Sequence, residues 1–342
     1  MFFGFILEHS ATMSSLDYVK YALIRTMVNT SLYIRRSSYQ SPGTQPNLTK
    51  IYQCRTNLFP CRIFLPKNHS LKASRLPLVI RVHGGGFVIN NPAADDLIAR
   101  HLADSAHCIV VSIDYSKSPQ NNFPIAYEDV IAQSLAVIEN AELPIDRERV
   151  VLCGSSAGGN LLLSAAQDQR LQSKVTGIAT LYPIVTESQM ATRRWLHDQT
   201  HRSLTSLATA TLVLCSCILI PKTSPLLPTP TYFQSRESLP PNILLIGAEH
   251  DMFCHEDEQM ADKLAGDAVK SGSEDGWRAL GVQWYKVFGR PHAFHVFPVK
   301  DPEKEKERLE AVKKMYGVLV EWLCDVFSKE NGRWSPVADG GE

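Results

Sequence analysis

An α/β architecture, with a mostly parallel central sheet covered by helices on both faces, is predicted by three observations. Short, fully apolar runs recur with helical segments between them; a glycine-rich loop directly follows one such run; and a Gly-x-Ser-x-Gly turn directly follows another. Of the 342 residues, 44% are hydrophobic and 20% charged, which supplies a packed core, and α/β units commonly exceed 200 residues as one domain. One large domain with appended segments is therefore expected. Lysine plus arginine equals aspartate plus glutamate at 35 each, so no net field favours nucleic acid, an anionic membrane or a polyanionic substrate. A neutral small molecule is the expected partner. The cysteines form no C-x-x-C pair, and several sit in apolar runs, which reads as reduced thiols in a cytoplasmic protein.

In chain order, Leu16, Val19, Leu23 and Met27 lie at helical spacing and predict an amphipathic helix that rests on something apolar, assigned to a lid. A Pro/Gly/Ser/Gln-rich stretch over 37–48 ends this segment, so 1–48 is read as an N-terminal cap and 49–330 as the main domain. Runs at 50–55 and 61–65 predict a hairpin entering the sheet. The alternation follows: strands at 78–82, 108–113, 150–153, 177–182, 242–247 and 282–288, with helices near 94–105, 126–140, 157–169 and 256–270. A last helix over 303–327 places Leu309, Val312, Met315, Leu319, Trp322 and Val326 on one face. Between Tyr182 and Asn242 the alternation stops for longer than a plain connection allows, which predicts an inserted cap over about 185–240. Within it, Leu204–Ile220 is nearly long enough to span a bilayer, but hydroxyl side chains interrupt it and Pro221 ends it. It is read as a buried cap helix, without stable membrane insertion. Residues 331–342 are expected to form a disordered tail.

The chemistry concentrates in a few segments. Gly154-Ser155-Ser156-Ala157-Gly158 joins a strand to a helix, the setting in which small neighbours allow a sharp turn that exposes a serine oxygen. A glycine-rich turn with an incidental serine is the bland alternative. His83-Gly84-Gly85-Gly86-Phe87 follows the strand 78–82, and its glycines let backbone N–H groups approach a developing oxyanion, which the N–H of Ala157 would complete. His83 itself reads as structural. Phosphate cradling would need a following Lys-Ser/Thr or a G-x-G-x-x-G pattern, and neither is present. For an acid, Asp251 and Glu249 both follow the strand 242–247 at its carboxyl end, where such folds assemble their sites. Glu256, Asp257 and Glu258 read as the solvated first turn of the next helix. For a base, His292 follows the turn-forming Gly289-Arg290-Pro291, whereas His295 sits in an apolar run and reads as a hydrogen-bonded packing residue.

Taken in order, His83-Gly-Gly-Gly-Phe87, Asp114-Tyr115, Phe123-Pro124, Glu128-Asp129, Gly154-Ser-Ser-Ala-Gly-Gly-Asn160, Tyr182-Pro183, Ser224-Pro-Leu226, Asp251-Met-Phe253 and His292-Ala-Phe294 resemble the landmarks of the hormone-sensitive-lipase-like esterases of the α/β-hydrolase superfamily. The resemblance covers about residues 50–327. It implies a serine carboxylesterase with neither cofactor nor metal, Ser156 as nucleophile, His292 as base and Asp251 as acid. It also implies an oxyanion hole of the Gly84, Gly85 and Ala157 N–H groups, with His83, Gly86, Gly154 and Gly158 in support, and a lid from the N-terminal segment and the insert. Departures occur at Ser116-Lys-Ser-Pro-Gln120, where the family continues Arg-Leu-Ala-Pro-Glu, at Ser155, commonly acidic or Thr, and at Asp251-Met-Phe, for Asp-Pro-Leu. A lid and the lack of a polybasic face favour short to medium acyl esters. Ester cleavage or acyl transfer within a specialised metabolic pathway, and a non-catalytic hydrolase-like receptor, are the competing readings; a homodimer is compatible with any of them.

Overall fold

The computed structural model describes residues 15–39, 43–56, 58–67, 75–118, 120–121, 123–185 and 236–328. The predicted cap insert and the tail lie almost wholly outside these residues, as does Leu204–Ile220.

Among the described residues, ten strands form one mixed sheet. In chain order they are β1 (Leu48–Ile51), β2 (Pro60–Phe64), β3 (Leu76–Val82), β4 (Ile109–Ile113), β5 (Ile145–Ser155), β6 (Gly177–Leu181), β7 (Asn242–Ala248), β8 (Ser271–Ser273), β9 (Gly276–Ala279) and β10 (Val282–Val287). The order across the sheet is β1-β2-β4-β3-β5-β6-β7-β10-β9-β8. The six strands from β4 to β10 run parallel, and an antiparallel hairpin closes each edge. Among the described residues the helices are α1 (Ser15–Tyr39), α2 (Asp96–Ser105), α3 (Ile125–Ile138), α4 (Ala157–Ala165), α5 (Gln169–Gln172), α6 (Cys254–Ala265) and α7 (Pro302–Ser328).

Every residue of β3, β4, β6 and β7 is buried, as a central strand covered on both faces requires. Strand alternation sends Leu78, Ile80 and Val82 toward α3, α4 and α6, and Val79, Val110 and Val151 toward α2 and α7. On α7, Val312, Met315, Leu319, Trp322, Leu323 and Val326 all enter the core. Each such side chain contributes roughly 1.5–3 kcal/mol by its burial.

The structure corrects several expectations. Leu309 is 51% exposed, and Arg308 is buried in its stead because its guanidinium donates to the carbonyls of Phe294 and His295. On α1, Val19, Leu23 and Met27 are 56%, 61% and 72% exposed. The helix instead meets the core through Val28 and Leu32, which pack against Val88 and Ile89, and through Asn29, whose Oδ1 accepts from the Asn90 N–H. Helix α6 ends at Ala265 because Gly266 turns the chain at φ +58°, and a mostly polar segment forms the hairpin β8–β9 behind it, with Trp277 and Ala279 of β9 turned to the core. No helix among the described residues is long and apolar enough to cross a membrane.

Candidate active site

The carboxyl ends of the parallel strands bring Ser156, His292 and Asp251 together. Ser156 sits between β5 and α4 at φ +52° and ψ −123°, a region that non-glycine residues seldom occupy. Its N–H donates to the Leu181 carbonyl and its carbonyl accepts from the Asn160 N–H, which pins the turn from both sides. Gly158 makes this geometry possible: a Cβ there would lie 2.3 Å from the Val82 carbonyl oxygen, so only glycine lets α4 approach the end of β3. Phe87, Tyr182 and Ala293 also have positive φ, so non-glycine residues in this rarely populated region gather around the site at a cost of about 1–3 kcal/mol each.

His292 follows β10 on a turn. Its Nε2 is 3.0 Å from Ser156 Oγ, and its Nδ1 is 2.6 Å from Asp251 Oδ2. A carboxylate oxygen only accepts, so Nδ1 carries the proton and leaves Nε2 to accept from the serine hydroxyl. The Asp251 side chain is wholly buried, and its Oδ1 accepts from the Phe253 N–H. The rings of Tyr182 and Phe253 meet the imidazole edge-on, with centroids 4.9 Å and 5.7 Å away. Glu249, the rival acid, lies outside this triad: its Oε2 accepts from the Gly289 N–H and braces the histidine turn. His295, the rival base, is buried against the Tyr182 hydroxyl, and burial, with Arg81 and Arg308 nearby, pushes its pKa well below the usual imidazole value.

The glycine loop faces the serine. A Cβ at Gly84 would stand 3.2 Å from Ser156 Cβ. Among the described residues, no acceptor takes the N–H groups of Gly84, Gly85 or Ala157. Gly85 and Gly86 both have positive φ, and the Gly85 carbonyl accepts from the N–H groups of Val88 and Ile89. His83 stacks on Tyr115, with its Nε2 2.9 Å from Asp114 Oδ1 and its Nδ1 2.7 Å from the Gly84 carbonyl oxygen. Lys117, within the departing segment, donates to the same Asp114 carboxylate and to the Tyr115 carbonyl. Burial pulls this lysine below its ordinary pKa although Asp114 supports its charge. Gly154 precedes the elbow within β5.

Burial alone would raise the Asp114 carboxyl, but the hydrogen bond and electrostatic pull of His83, together with Lys117, outweigh it and bring the pKa down to about 2. A depressed carboxylate stabilises the fold above its unfolded pKa, and that contribution fades as pH falls through the folded value. The stability difference between the wild type and Asp114→Asn is therefore expected to shrink by roughly 2 kcal/mol from pH 4 to pH 2. Denaturant titrations across that range check it, and a difference that stays flat would contradict it.

Sequence reasoning missed three features. Arg81 lies wholly buried beneath the elbow, and Tyr182 packs between the two histidines. Asp257, expected in solvent, is completely buried; desolvation first, then Asp251 and Glu256, push its pKa well above the usual carboxylate value. Among the described residues, no group of three or more His, Cys, Asp or Glu side chains is arranged to hold a metal ion.

A family model described as alpha/beta hydrolase fold matches residues 79–276. The chain is 36% identical over 151 residues to a probable carboxylesterase of Arabidopsis thaliana, covering 39% of this chain and 47% of that protein. It is 35% identical over 130 residues to an arylesterase of Saccharolobus solfataricus, covering 37% and 40%. The matches thus span less than half the length of either relative. Among solved structures, a thermophilic carboxylesterase from a metagenomic library superposes with a TM-score of 0.65 at 25% identity, over 89% of this chain and 97% of that one.

Proposed function

Because the chain belongs to the α/β-hydrolase fold family, whose model matches residues 79–276, we propose that it hydrolyses carboxylic esters of small molecules through an acyl-enzyme on Ser156. The observation that carries this reading is the unbroken line from Ser156 Oγ through the His292 ring to Asp251, facing backbone N–H groups that have no acceptor among the described residues. In the reaction, His292 Nε2 takes the hydroxyl proton as Oγ attacks the ester carbonyl. Asp251 keeps the other ring nitrogen protonated and offsets the imidazolium charge. The Gly84, Gly85 and Ala157 N–H groups stabilise the tetrahedral oxyanion, His292 returns its proton to the leaving alcohol, and water repeats the attack to release the acid. His83, Asp114 and Lys117 hold the loop that carries two of those donors.

Within this reading the substrates are short to medium acyl esters, supported by a formal net charge of zero, which gives no overall electrostatic attraction to an anionic lipid interface. A panel of p-nitrophenyl esters from acetyl to palmitoyl is expected to give its highest kcat/KM on the short to medium chains and a lower value on palmitoyl. Interfacial activation on emulsified triolein, with rates above those on soluble esters, would contradict it.

A further inference from the structure

Arg81 stands in the middle of an apolar strand, fully buried, on the face that carries Val79 and Cys153 toward α2 and α7. Taking a guanidinium out of water costs several kcal/mol even when it is paired, and an aliphatic residue would fill the same space without that cost. What an aliphatic residue could not do is bond in fixed directions. Nη2 of Arg81 donates to Ser155 Oγ at 2.6 Å, and Nη1 lies 3.0 Å from Cys153 Sγ. Nε is 3.0 Å from Asp95 Oδ2, an ion pair without the alignment of a hydrogen bond. Asp95 is itself buried, at the end of the 3-10 turn Pro92–Asp95.

These partners occupy particular places in the chain. Arg81 lies two residues before His83, where the glycine loop leaves β3; Asp95 lies just after that loop returns; and Ser155 immediately precedes Ser156. One buried cation therefore ties both ends of the loop to the elbow. The gap it sets is narrow, since a Cβ at Gly84 would lie 3.1 Å from the Ser155 carbonyl oxygen and 3.2 Å from Ser156 Cβ. Hydrogen-bond donors aimed at an oxyanion work only over a few tenths of an ångström, and a misplacement of about 1 Å can cost about a hundredfold in rate.

We propose that Arg81, with Asp95 as counter-ion and Ser155 as its contact to the elbow, is a positioning residue that sets the Gly84 and Gly85 N–H groups against Ser156. This rests on the esterase reading above. It explains why a charge is kept where packing alone would favour an aliphatic side chain, and it assigns Ser155 a role that an alanine could not fill.

Arg81→Met/Asp95→Asn removes both charges together and leaves no buried ion unpaired. With p-nitrophenyl acetate, the folded double variant is expected to lose about a hundredfold in kcat while KM stays within about threefold, because transition-state donors move more than the ground-state pocket does. Its rate constant for fluorophosphonate modification should fall in parallel. A folded double variant with kcat within about twofold of wild type would overturn the proposal. Should the double variant not fold, Ser155→Ala decides, since it cuts only the tie to the elbow and leaves the ion pair intact. A kcat loss of about three- to tenfold at unchanged KM is then expected, and unchanged kcat overturns the proposal. Ser156→Ala, run alongside, separates the two failures: if it is inactive while these variants behave as wild type, the positioning role falls and the esterase reading stands.

Discussion

Ser156→Ala is expected to lower ester hydrolysis to near background, a loss on the order of 10⁶-fold in kcat, while circular dichroism and thermal unfolding stay close to wild type. The size follows from the chemistry: without Oγ there is no acyl-enzyme, and what remains is whatever the oxyanion donors and binding contribute to direct attack by water. The fold should survive because Ser156 holds its turn through backbone bonds to Leu181 and Asn160, which alanine keeps. Ser155→Ala should retain about a tenth of wild-type turnover or more, since its hydroxyl only anchors the elbow to Arg81. Steady-state assays of the two variants check the assignment, and near wild-type turnover in Ser156→Ala would remove it.

The second large effect separates the two histidines. His292→Ala should cost on the order of 10⁴-fold or more in kcat, and Asp251→Asn about 10⁴-fold, because an amide cannot hold the ring in the tautomer that leaves Nε2 free to accept. His295→Ala should act on stability instead. His295 lies buried beneath Tyr182, so its loss opens a cavity and strands the tyrosine hydroxyl, at about 1–3 kcal/mol, while the folded protein is expected to keep most of its turnover. Kinetics and urea titration on the same preparations distinguish the two. An inactive, folded His295→Ala beside an active His292→Ala would reassign the base.

Much of this site was legible in the sequence because its chemistry demands residues that leave a pattern. An elbow at Ser156 needs small neighbours, and Gly158 touches the β3 carbonyls so closely that nothing larger fits. The glycine loop needs positive φ at Gly85 and Gly86. The parallel strands were readable because burial on both faces makes them predominantly apolar. What escaped depends on pairings that no local pattern encodes. Arg81 passed unnoticed inside an apolar run, although a charge at such a position calls for a buried partner, and that partner, Asp95, lies beyond the glycine loop. Asp257 was misread because acidic residues in a first helical turn are usually solvated, whereas α6 turns this one into the core. On α1 the regular stripe of Val19, Leu23 and Met27 suggested the buried face, yet contact runs through Val28, Asn29 and Leu32, where the helix meets the loop around Val88–Asn90. Leu309 lost its core position to Arg308 for a comparable reason, since carbonyls rather than apolar side chains await that end of α7.

The activated serine at the centre of this account is tested most directly by covalent labelling. Treated with a fluorophosphonate at neutral pH, the protein should take up one equivalent, located by peptide mass spectrometry on Ser156, and His292→Ala should slow that uptake on the order of a thousandfold or more. A protein that stays unlabelled while folded, or that is labelled at another residue at the wild-type rate, would show that Ser156 is not the nucleophile.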